Sequence, residues 1–185
     1  MLFRSRLCSK PLVAPSLRTL CLRGAGLSRD LLASLARCTF PELDAMELWA
    51  GDLEYGWGGA ATDFRELLEL RRLPRLRHLA VMTDVADALI PVLAESSVLP
   101  ALETLDLSCG AATDQGAHRL VENWRRFSHL TRMNLSGNFV TPAARNALME
   151  VGSRVIVFGW QRWFDGGATL SMPPIVSLFK DWPEE

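Results

Sequence analysis

The stretch Leu130-Thr-Arg-Met-Asn-Leu-Ser-Gly-Asn138 decides how the rest of the chain is read. Leu130, Met133 and Leu135 follow an L-x-x-L-x-L spacing, and its last two apolar positions share one face of a short strand. The spacing occurs four times earlier, at Leu17, Leu20, Leu22; Leu43, Met46, Leu48; Leu76, Leu79, Val81; and Leu102, Leu105, Leu107. Successive starts lie 26, 33, 26 and 28 residues apart. Five occurrences of one internal pattern mark a structural repeat.

Each strand motif is followed by a turn and then by apolar residues three and four apart, the helical period. Leu31, Leu32 and Leu35 show it first, then Phe64, Leu67 and Leu68, a set that Leu70 can extend. Ala86, Leu89, Ile90 and Leu93 come next, then Ala117, Leu120, Val121 and Trp124, and last Ala143, Ala144, Ala147 and Leu148. Ser28, Thr62 or Asp63, Thr83 or Asp84, and Thr113 or Asp114 are expected N-caps, and Thr141-Pro142 is the clearest start. Pro41, Pro74 and Pro100 each stand two residues before a strand motif and restart extended chain. One strand–turn–helix–loop unit cannot bury both of its apolar faces, so neighbours must stack.

This pattern resembles the leucine-rich repeat, in its longer, ribonuclease-inhibitor-like form, over Leu17 to Val157. The resemblance implies an α/β solenoid: a right-handed horseshoe segment with a parallel concave sheet inside and helices outside. Asn138 holds the family's asparagine position, whose side chain bonds to turn backbone. Ala25, Gly51, Asp84 and Gly110 hold that place in the other units, so no regular asparagine ladder is expected. The run Met46-Glu-Leu-Trp-Ala-Gly-Asp-Leu-Glu-Tyr-Gly-Trp-Gly-Gly59 is similar to bacterial repeat proteins with a Gly/Tyr-rich insert in one unit.

The expected organisation is an N-terminal segment 1–16, partly disordered or an incomplete cap; five full repeats and a closing strand over 17–157; and a C-terminal cap and tail, 158–185. Residues 1–16 contain no acidic group, which fits a basic terminal segment or a start site inside a longer frame. The tail carries Trp160, Trp163, Phe164, Phe179 and Trp182, which either cap the last repeat or dock a partner.

Composition narrows the function. The 185 residues are 49% hydrophobic and 22% charged, and the net charge is -1. No global field invites nucleic acid or an anionic membrane, and no apolar run reaches the ~20 residues of a bilayer span. Cys8, Cys21, Cys38 and Cys109 form no C-x-x-C pair, so a zinc site has no support and a cytoplasmic chain with reduced thiols is expected. Phosphate-cradle and nucleophile-elbow motifs are missing. His118 and Glu122 are four apart on a predicted helix, which reads as a surface pair. No catalytic, metal or cofactor residue is assigned, and an enzyme is not expected.

The resemblance makes the concave sheet a docking surface for another protein. The strand positions between the leucines would line it, with Thr19, Glu47, His78, Thr104 and Arg132 expected in one exposed row. Trp49 and Met82 supply large apolar groups, and Asp106, Arg132 and Asn134 a polar patch or a cross-strand pair. The Gly51–Ala61 loop adds Asp52, Glu54, Tyr55 and Trp57, either as a binding hot spot around Trp49 or as a plug on the loop's own scaffold. The expected function is a non-catalytic protein–protein interaction module. Alternatives are a regulator or inhibitor of a partner enzyme, or a structural fragment of a larger repeat protein.

Overall fold

The spacing of the leucines is also the register of the sheet. In a computed structural model that describes residues 13–24, 27–51 and 59–158, six strands form one sheet in sequence order, and every pairing is parallel. They are β1 (Thr19–Arg23), β2 (Ala45–Gly51), β3 (His78–Thr83), β4 (Thr104–Asp106), β5 (Arg132–Asn134) and β6 (Ile156–Val157). Leu20, Met46, Leu79, Leu105, Met133 and Ile156 stand opposite one another across all six strands. Five helices intervene: α1 (Arg29–Ala36), α2 (Ala86–Glu95), α3 (Asp114–Glu122), α4 (Trp124–Phe127) and α5 (Pro142–Gly152). The fold is α/β.

The leucine face of the sheet and the apolar faces of the helices form one core that includes Leu32, Met46, Leu89, Leu105, Leu120, Met133 and Leu148. At β1 the cover thins, and Leu17, Leu20 and Leu22 are only half-buried. Residues 1–12 lie outside the described residues, as do 159–185 and hence the aromatic tail.

Helix starts follow the capping chemistry in three cases. The Ser28, Thr113 and Thr141 hydroxyls accept from the backbone N–H groups of Leu31, Gln115 and Ala144. The expectation for α2 needs correction: Val85 is its N-cap, and the Thr83 hydroxyl accepts from the Val85 N–H at 3.3 Å. The second unit also departs from a regular helix. Its Ala61–Phe64 stretch is a 3-10 turn, and i→i−3 bonds recur at Arg72→Glu69 and Leu73→Leu70. Phe64, Leu67, Leu68 and Leu73 are all fully buried. The five-residue step from Leu68 to Leu73 would place these two about 140° apart on an α-helix, and the chain leaves the helical path between them, at Glu69, so that both reach the core.

Neighbouring helices are tied by polar bonds. Pro91, inside α2, has no N–H to donate to the Asp87 carbonyl, and Arg119 of α3 donates to that oxygen instead, at 2.6 Å. Asn138 is fully buried; its amide donates to the Leu107 and Leu135 carbonyls, and its oxygen accepts from the Ala112 N–H. Gly110 lies one unit earlier in the same turn position. A Cβ there would stand 3.2 Å from the Asn138 oxygen and 2.9 Å from the Thr83 carbonyl, so the bare glycine leaves room for the neighbouring asparagine.

Candidate functional site

The sheet face opposite the leucines carries three rows. The first runs Thr19, Ala45, His78, Thr104, Arg132; the second Cys21, Glu47, Ala80, Asp106, Asn134; the third Arg23, Trp49, Met82. Glu47 therefore does not share a row with Thr19 and His78, because Ala45 stands between them. Nor is it exposed: its relative accessibility is 0%. A carboxylate so enclosed requires a partner, and Arg23 grips it with Nε at 2.7 Å from Oε1 and Nη2 at 3.2 Å from Oε2. That bond raises the Arg23 pKa above its ordinary value, burial opposing it.

Arg23 also lies over the Trp49 ring, 4.8 Å from its centroid. Trp49 is half-buried, and its indole N–H is enclosed without a hydrogen-bond partner among the described residues. The ring thus has one face occupied by the protein's own cation. Met82 stands opposite Trp49 on β3, also half-buried. Cys21 is exposed beside this cluster; burial of the thiol and then the nearby Glu47 carboxylate raise its pKa. Sequence reading missed the roles of Arg23 and Cys21. The signal was the register itself, which puts Arg23 opposite Trp49 and diagonal to Glu47.

The other half of the face is polar and mostly half-buried. His78 Nδ1 is 2.9 Å from the Thr104 hydroxyl, and Nε2 is 3.9 Å from an Asp44 carboxylate oxygen. Burial lowers the His78 pKa below its ordinary value, against the pull of Asp44. Asp106 accepts from the Asn134 amide at 2.9 Å and from the Ser108 N–H at 2.8 Å, which is the cross-strand pair rather than a patch with Arg132. Arg132 stands exposed beside Thr104. Asp52, Glu54, Tyr55 and Trp57 lie outside the described residues. His118 lies 3.2 Å from Glu122 on the outer helix surface.

Among the described residues, no group of three or more His, Cys, Asp or Glu side chains is arranged to hold a metal ion, and no helix is long and apolar enough to cross a membrane. No family model matches the chain, and no curated protein matches its sequence. A crystal structure of a Bacteroides fragilis protein, from a structural genomics consortium, is similar to it with a TM-score of 0.76 and 26% identity. The match covers 83% of this chain and 44% of that one, so the chain spans less than half the length of the protein it matches.

Proposed function

We propose that the chain is a leucine-rich-repeat solenoid of the ribonuclease-inhibitor-like type, with five repeats and a closing strand, and that it is a non-catalytic module whose concave sheet face binds another protein. The supporting observation is the division of the sheet. One face joins the described helices in a single apolar core, while the other carries ordered rows of mixed chemistry. Row residues held in place by their own bonds, such as Asp106 with Asn134, offer a pre-organised surface. A reducing, cytoplasmic setting is part of this reading, in keeping with the thiols of Cys21 and Cys38, which form no disulfide among the described residues.

Binding energy on this face comes from its accessible groups, His78, Thr104, Arg132 and the open parts of Trp49 and Met82. The test is affinity purification from the native organism with the intact chain and with Thr104→Arg and Met82→Lys variants, followed by mass spectrometry and a melt of each variant. A protein held by the intact chain and lost from both variants at an unchanged melting temperature supports the reading. A partner retained by both variants overturns it.

A further inference from the structure

The first strand leaves one edge of the sheet open. Among the described residues β1 pairs with β2 alone. The Ala45 N–H donates to the Arg18 carbonyl at 3.1 Å, and in a parallel ladder every second residue then faces the same neighbour. Arg18, Leu20 and Leu22 therefore bond towards β2, and the N–H and C=O groups of Thr19, Cys21 and Arg23 point out of the sheet. Apolar cover is thin at the same place. Leu17, Leu20 and Leu22 are half-buried, whereas Met46, Leu48, Leu79 and Val81 on the next two strands are closed. Val13, bridged to Thr39 at this end, is 61% exposed. Outward backbone groups beside a half-covered core are a template for another strand.

The spacing of the repeat does not place that strand among the residues ahead of β1. The shortest crossover between neighbouring strands, 84–103, takes 20 residues, and 18 precede Thr19 in the sequence. A second copy of β1 fits the edge. Turned about a two-fold axis normal to the sheet and beside Cys21, the copy runs antiparallel and keeps its leucines on the leucine side. Cys21 then stands opposite Cys21 of the other copy, Leu20 opposite Leu22, and Thr19 opposite Arg23. The outward groups of these three residues each meet a partner, and each strand covers the leucines of the other. Charge permits the approach. Arg23, the one charged side chain of β1, is gripped by Glu47 of its own sheet, and Arg18 falls opposite Gly24, which has no side chain to displace.

We propose that two copies of this chain pair through β1 in an antiparallel ladder centred on Cys21, joining their sheets into one. The exposed Cys21 thiols of the two copies meet at its centre. The inference rests on the strand order and the open edge, and it stands or falls apart from the reading of the sheet face as a binding surface for a different protein.

The experiment is size-exclusion chromatography of the full chain with light scattering, then treatment with a short bis-maleimide. Each thiol adds across one maleimide double bond, so a Cys21 from each copy is joined by the linker. The expected mass is that of a dimer, and peptide mass spectrometry of the cross-linked product finds Cys21 linked to Cys21. Cys21→Ser keeps the dimer and loses the link. Cys21→Pro removes an outward N–H while leaving the β1–β2 bonds in place, and Cys21→Lys sets like charges face to face. Each of these two weakens the dimer about tenfold or more, with the circular-dichroism spectrum of the parent retained. A monomer, a larger open assembly, a dimer linked through other cysteines and not through Cys21, or a dimer indifferent to both the proline and the lysine change overturns the proposal.

Discussion

The carboxylate of Asp87 accepts both the backbone N–H and the hydroxyl of Thr113, at 2.8 and 2.6 Å, so the start of α2 clasps the start of α3. The clasp recurs one unit on, where Asp114 accepts the same two groups of Thr141 at 2.8 Å each. Gly116 makes the first clasp possible, because a Cβ there would lie 2.2 Å from Asp87 Oδ1.

Gly116→Ala should therefore destabilise the fold by dislodging Asp87, despite the higher helix propensity of alanine. Asp87→Ala alone should cost about 1 kcal/mol, since its bonds are solvent-exposed. With Asp87 already removed, Gly116→Ala should cost much less than in the parent chain. A double-mutant cycle by urea unfolding checks this, and additive effects would refute the clasp.

The Arg23–Glu47 pair predicts an asymmetry. Arg23→Ala leaves a fully enclosed carboxylate without its cation and should cost about 3 kcal/mol. Glu47→Gln leaves a cation that still reaches solvent and still lies over Trp49, and should cost about 1 kcal/mol. Urea midpoints of the two variants settle the order. The same Arg23→Ala change frees one face of Trp49, which should appear as altered indole fluorescence in the native state.

Asn138→Ala removes three donated bonds, to Leu107, Leu135 and Ser136, and one accepted bond at a fully buried site. Stranding the Leu107 and Leu135 carbonyls and the Ala112 N–H should cost about 3 kcal/mol. Amide hydrogen exchange at Ala112 should accelerate more than at Leu105, which bonds within the sheet.

His78 sets a pH dependence of known sign. Its folded pKa lies below its ordinary value because burial penalises the imidazolium. Above about 6.5 both folded and unfolded forms are neutral and the group contributes nothing. Below that the unfolded chain takes the proton first, so stability falls as pH falls towards the folded value. Comparing urea unfolding of the parent chain and His78→Gln between neutral pH and the acid side of this window should show the parent losing stability faster.

Much of the architecture was legible because it depends on spacing alone. The second and third apolar positions of each motif mark the strand face, and the register follows them from Leu20 to Met133. Burial on the opposite face was not legible in that way. Glu47 occupies an outward strand position, and what encloses it is a side chain from a strand 24 residues earlier. The irregular second unit was hidden for a related reason: Phe64, Leu67 and Leu68 keep a helical period, and only Leu73 breaks it. Nothing in the spacing marks Asp87, although Thr113, which it holds, is one of the expected caps.

The strictly sequential order of the strands has a mechanical consequence. Each strand is bonded only to the strands before and after it in the chain, so tension applied at the two ends meets one interface at a time. The bonds of a parallel sheet then open as a zipper, not as a shear joint that resists until all its bonds break together. The first to part is the β1 edge, where Leu20 and Leu22 are only half-covered, and the later interfaces, closed over Met46, Leu79 and Leu105, part in turn. Pulled across its strands, the sheet therefore lengthens one strand at a time, which makes it compliant in that direction.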